Sequence, residues 1–201
     1  MKKLTNKGWT LVEMITVLAI IAIVMLFSAG ILFSSNNIFA STTTVNEVKM
    51  IGDNTYNWIS EKIIYTSHLQ IVEDTGVAVP VEKEAIYIDS NVNSPTFGRL
   101  LYKKSGESNF VDFFGGEFYN YTVLSMKVRG YNNYIVDLSI YVMDKSGNSL
   151  YDTGSTMEML NLRLNKISIK DINGTNIDMS DDVLNPLLIF DYNMSADDSE
   201  L

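Results

Sequence analysis

The stretch from Trp9 to Phe33 reads WTLVEMITVLAIIAIVMLFSAGILF, and its reading decides the fold. It contains one ionisable residue, Glu13, and the next charge along the chain is Glu47. As a helix, these 25 residues would run roughly 37 Å at 1.5 Å per residue. The hydrocarbon of a bilayer needs about 20 apolar residues, so the segment is long enough to span with some tilt. Ile15 to Ile23 is rich in β-branched residues, but in lipid a lone apolar segment must be helical to satisfy its own backbone. Lys2, Lys3 and Lys7 precede the stretch. Their charge predicts a cytoplasmic N-terminus with the rest of the chain outside. A secretory signal peptide fits less well. Its apolar core would be about 7–15 residues ending in a small-residue cleavage site, whereas here apolar residues resume at Ile31 after Ser28-Ala29-Gly30. A plain anchor leaves Glu13 unexplained, because a carboxylate in an apolar span costs up to about 2.5–3.5 kcal/mol at mid-helix.

Composition narrows the remainder. The chain has 201 residues, 46% apolar and 19% charged, with a formal net charge of −9. That allows a sizeable core and excludes a wholly disordered chain. The negative balance disfavours general nucleic-acid binding. There is no cysteine and a single histidine, His68, which excludes disulfides, thiolate chemistry and multi-histidine metal sites. No phosphate-binding glycine loop, dinucleotide fingerprint, HExxH or GxSxG occurs. An enzyme is not predicted, and no cofactor is implied.

From Ile38 to Ile71 the apolar residues fall three or four apart: Val45, Val48, Gly52, Tyr56, Ile59 and Ile63. That spacing predicts an amphipathic helix, with a break near 34–44 where Ser41-Thr42-Thr43-Thr44 is a weak helix former. Trp58 and Tyr65 read as packing residues, and His68 as a residue near the helix end. From Gly76 onward the pattern becomes short strands. Ala85–Asp89 and Gly98–Lys103 flank a loop at Ser90–Phe97, and Phe113-Phe114-Gly115-Gly116 suggests a tight turn. Tyr121–Val128 and Tyr134–Met143 alternate around a hairpin loop at Arg129–Asn133. Asp144–Asn148 is a further turn, Met159–Ile172 a longer strand, and Asn173-Gly174 a hairpin signal into Thr175–Met179. The acidic region Asp178–Leu201 reads as solvated surface, since its spacing does not match a calcium loop.

Lys2-Lys3, then Gly8-Trp9-Thr10-Leu11-Val12-Glu13 and a long apolar run, resembles the signal of type IV pilins and type II secretion pseudopilins. The family more often has Phe or Met where this chain has Trp9. The resemblance implies an α+β fold: a long N-terminal α-helix, with a transmembrane half and an amphipathic half, packed against an antiparallel β-sheet. It implies a cleaved leader over 1–8, an assembly half-helix over 9–33, an amphipathic half over 34–75, a β-rich head over 76–196 and an acidic tail over 197–201. It further implies cleavage by a prepilin peptidase between Gly8 and Trp9, and N-methylation of Trp9. Glu13 would pair with the terminal amine of a neighbouring subunit during assembly. The partners so implied are other pilin subunits, the prepilin peptidase, the assembly platform and membrane lipid. A minor pilin of a type IV pilus is expected. The alternatives are a competence or type II secretion pseudopilin, or a pilus-borne adhesin using aromatics such as Tyr131, Tyr134 or Phe113. The cysteine-free, Asn/Ile/Lys-rich composition leans toward a Gram-positive source. Lys103-Lys104 and Lys127/Arg129 are the only hints of a basic patch for DNA.

Overall fold

The computed structural model describes residues 10–73, 75–132, 134–160, 166–170 and 181–192. One helix, α1 (Leu11–Tyr65), runs without interruption through the Ser41–Thr44 stretch where a break is expected. Hydroxyl residues survive inside it because their side chains turn back on the preceding turn. Thr16, Ser28 and Thr43 donate to the carbonyls of Val12, Val24 and Phe39 at 2.8, 2.8 and 2.9 Å. The chain divides into two compact units, one ending at Asn46 and the other beginning at Glu47.

The first unit contains the apolar turns of α1. Their large side chains are exposed from Leu11 to Phe39. This helix is long and apolar enough to cross a membrane, and none of its most apolar stretch is buried against the protein.

The second unit holds the rest of α1 and, among the described residues, ten strands: β1 (His68–Val72), β2 (Glu84–Ile88), β3 (Leu100–Lys103), β4 (Val111–Asp112), β5 (Val123–Gly130), β6 (Ile135–Met143), β7 (Ser149–Glu158), β8 (Lys166–Lys170), β9 (Val183–Leu184) and β10 (Leu187–Asp191). They form two sheets, ordered β4-β3-β2-β10-β1-β8 and β7-β6-β5-β9. The expected α+β layout, a long N-terminal helix packed against β-sheet, is present, but the expected antiparallel sheet is two sheets, the larger of them mixed because β1 and β8 pair in parallel. Val48, Ile51, Ile59 and Ile63 of α1 share one core cluster with Leu69, Ile86 and Phe190 of the larger sheet and Met126, Leu138 and Ile140 of the smaller. Each such side chain contributes roughly 1.5–3 kcal/mol when fully buried. Val45, placed on the apolar face by spacing, is exposed, and Thr55 takes an interior position by donating to the carbonyl of Ile51 at 2.8 Å. Gly52 fits the close approach of the helix to the smaller sheet. A Cβ there would lie 2.7 Å from the Tyr151 ring and 3.1 Å from Val142.

Three boundaries differ from expectation. The helix stops at Tyr65 rather than near residue 71, because Thr66 and Ser67 turn the chain. The Thr66 hydroxyl reaches the carbonyls of His68 and Asp191 at 2.9 Å, and the Ser67 amide reaches Asp191 at 2.9 Å. His68 consequently opens β1. The strand after the Asp144–Asn148 turn begins at Ser149 and ends at Glu158, so Met159 follows a strand rather than starting one. The acidic C-terminal region contains β10, whose Leu187, Leu188, Ile189 and Phe190 are all buried between β1 and β2. Its acids are in part ion-paired: Asp191 with Lys83 at 3.2 Å, and Asp182 with Lys127 at 3.3 Å and Arg129 at 3.8 Å. Asn173-Gly174 and 197–201 lie outside the described residues.

Candidate functional site: the start of the apolar helix

Thr10 is the residue before the first turn of α1, and Glu13 is three positions further on. The sequence Thr-x-x-Glu before an apolar run has a local meaning apart from any partner. A threonine hydroxyl can accept from the third amide of the helix, while the glutamate reaches back to the amide of the cap. Both bonds are present. The Thr10 amide and hydroxyl donate to Glu13 Oε2 at 2.8 and 2.9 Å, and the Glu13 amide donates to Thr10 Oγ1 at 3.3 Å. The Met14 amide adds the first helical bond, to the Thr10 carbonyl at 3.2 Å. Two of the four orphan donors of the helix start are thus satisfied. A negative charge also sits beside the positive end of the helix dipole.

Glu13 is consequently placed for two tasks at once. One carboxylate oxygen is occupied by Thr10, and the group stands exposed at the head of an apolar helix. The second oxygen can receive a cation without breaking the cap. Next to lipid, an unpartnered carboxylate is costly, and two hydrogen bonds plus a cation would offset much of that cost. Gly8 and Trp9, the expected cleavage and methylation positions, lie outside the described residues.

Of the secondary candidates, Tyr131 and Tyr134 are exposed as expected, whereas Phe113 and Lys103 are not surface residues of the expected kind. Phe113 is a packing residue, stacked on Trp58 with ring centroids 3.9 Å apart. Tyr131 and Tyr134 are exposed, and Tyr131 is covered on one face by Arg129 at 5.2 Å. Lys103 contributes nothing to a surface patch. It is 1% exposed, and its ammonium donates to the carbonyls of Pro80, Val81 and Lys83 at 2.8, 3.3 and 2.8 Å. Lys127 and Arg129 share Asp182. Among the described residues no group of three His, Asp or Glu side chains could hold a metal ion.

Sequence reasoning overlooks the cap itself, although Thr10-Leu11-Val12-Glu13 carries its signature. It also misses the left-handed backbone at Asn120 and Tyr121, with φ 38° and 73°. Only the Asn gives a signal for that conformation. Compared with protein-family models, curated proteins and solved structures, the chain matches none.

Proposed function

We propose that this chain is the precursor of a filament subunit, a minor pilin of a type IV pilus-like fibre. It is inserted in the membrane through α1, trimmed between Gly8 and Trp9, methylated at Trp9 and polymerised through the helix. The observation that carries the reading is the combination on one helix. Apolar turns with exposed side chains begin at a single capped carboxylate, Glu13, and the same helix ends inside the core of a folded head. A simple anchor needs the apolar turns but not the carboxylate. A filament subunit needs both. Lipid covers the helix first and neighbouring helices cover it afterwards, and the free oxygen of Glu13 meets the new terminal amine of an adjoining subunit. An unpaired carboxylate and an unpaired amine are each costly in hydrocarbon, so pairing selects one axial register between helices. The partners on this reading are other pilin subunits, a prepilin peptidase, the assembly platform and lipid. The head then faces outward, on the cell surface or along the fibre.

The decisive measurement is the mass of the mature protein from its native membrane. The expected species begins at Trp9 and carries one added methyl group. A chain that retains Met1 to Gly8 in cells with an active peptidase would overturn the assignment.

A further inference from the structure

Tyr121 combines two features that seldom occur together. Its backbone is left-handed, φ 73°, next to a second left-handed residue, Asn120. Its side chain is 81% exposed. Left-handed backbone is unfavourable for a bulky residue, and glycine would adopt it freely. Strain of this kind persists where the surroundings enforce it, and it clusters at ligand sites. Here the surroundings do enforce it. The Asn120 amide side chain donates to Glu47 Oε2 at 2.8 Å. The Thr122 amide donates to the Tyr119 carbonyl at 2.7 Å, and the Thr122 hydroxyl reaches the same oxygen. The Tyr119 hydroxyl is tied to the Leu100 amide at 3.0 Å and to Asp112 at 3.2 Å. The outcome is an aromatic ring held away from the core, so packing does not account for it.

The ring stands on a groove of about 870 Å³, whose lining includes Ser94, Phe97, Arg99, Glu117, Tyr121 and Lys145. Two cations and one carboxylate line the groove in a chain of net charge −9. Lys145 lies 5.6 Å from the Tyr121 ring centroid and braces it. Arg99 is oriented by Asp112 at 3.0 Å and by the Tyr119 ring at 5.9 Å. Gly116 gives its guanidinium room, since a Cβ there would come within 3.0 Å of it. A guanidinium offers five donors, and the Asp112 bond uses one. A projecting aromatic face, a fixed guanidinium, an ammonium and hydroxyls on one open groove match a pyranose ring bearing a carboxylate. The apolar face of the sugar stacks on Tyr121, and its carboxylate takes Arg99 and Lys145.

We propose that this groove binds a carboxylated sugar, the uronic-acid type of saccharide, with Tyr121 as platform and Arg99 and Lys145 as anion donors. The proposal is independent of the filament reading, because binding is measured on the single chain. The test is calorimetry on the full-length protein in nanodiscs, with linear trigalacturonic acid as probe. Three comparison ligands are the neutral galactose trisaccharide, triglutamate and a short oligothymidylate. Saturable binding of the acidic trisaccharide, at least about tenfold tighter than of the neutral one, is expected. Tyr121→Gly is expected to weaken binding at least about tenfold while the melting temperature holds or rises, because glycine relieves the backbone. Lys145→Met is expected to weaken binding severalfold with unchanged melting. The proposal is overturned by absence of saturable binding at millimolar concentrations, by equal affinity for the neutral sugar, or by tighter binding of triglutamate or oligothymidylate. It is equally overturned if Tyr121→Gly binds as the parent does.

Discussion

Residues 11–39 and residues 47–65 are turns of one helix, yet apolar character is arranged differently in them. In the first stretch it goes all round: Leu11, Phe27 and Phe33 are each more than two-thirds exposed. In the second it is a stripe. Val48, Ile51, Ile59 and Ile63 are buried against the sheets, while Lys49, Asn54, Asn57 and Glu61 lie outside. The glycines mark the same contrast. Gly52 faces the Tyr151 ring at a distance no side chain tolerates, whereas Gly30 has no atom within 4 Å of a built Cβ. A helix that is apolar all round requires an apolar surrounding, and one with a stripe makes its own. The second stretch is explained by contacts inside the protein, whereas the first keeps its apolar side chains exposed and is long and apolar enough to cross a membrane.

Substitutions can break this comparison. The largest effect is expected from Ile59→Ala, which empties a fully buried position and should cost the head about 2–5 kcal/mol. Near-UV circular dichroism in detergent should show a lowered melting temperature. The matched change Ile21→Ala, in the exposed stretch, should leave melting unchanged. Next, Gly52→Ala should destabilise the head by about 1–3 kcal/mol through overpacking, in spite of better helix propensity. Gly30→Ala should not, and Tyr151→Ala should rescue Gly52→Ala in a double-mutant cycle.

Glu13 sharpens the comparison, because its cap and its charge can be separated. Glutamine also serves in a capping box, so Glu13→Gln keeps the bond to Thr10 and removes the charge. Glu13→Ala removes both and forfeits about 0.5–2 kcal/mol of helix start. If charge pairing governs assembly, both variants should be depleted from sheared filaments alike. Depletion of the alanine variant alone would assign the role to the cap.

The smallest effect concerns acid. Burial pushes the carboxyl of Asp89 up, but hydrogen bonds from Ser94, Thr96 and the Asn91 amide outweigh it and hold the group below the usual carboxylate range. A depressed native value means that its stabilisation is present above the unfolded value, about 3.9, and is lost as pH falls through the native one. Acid titration followed by Trp58 fluorescence should show Asp89→Asn with a shallower loss below that range than the parent.

Much of the layout was legible in the chain. The apolar N-terminal helix follows from Trp9–Phe33 by length alone. The β5–β6 hairpin follows from alternation, which selects Met126, Val128, Leu138 and Ile140 as buried, while Val123 and Ser125 on the opposite register of β5 are buried as well. What escaped had physical reasons. Leu187–Phe190 is a short apolar run between acidic residues, and averaging over the region conceals a strand buried on both faces. β7 is Ser-, Thr- and Gly-rich and faces mostly outward, so it has little apolar period to detect. The parallel pairing of β1 with β8 joins segments about a hundred residues apart, and no local pattern encodes it. At the functional end, a carboxylate heading an apolar run stands out by its cost in lipid, whereas its bond to Thr10 is a local matter of Thr-x-x-Glu spacing.

Lys103 has a consequence of its own. Its ammonium occupies a ring of three peptide oxygens, oxygen donors of the type that also coordinate hard metal cations. Here the ion is tethered to β3 and cannot wash out. The bend through Pro80–Lys83 should therefore keep its shape in chelators and at any ionic strength, because the cation that holds it is part of the chain.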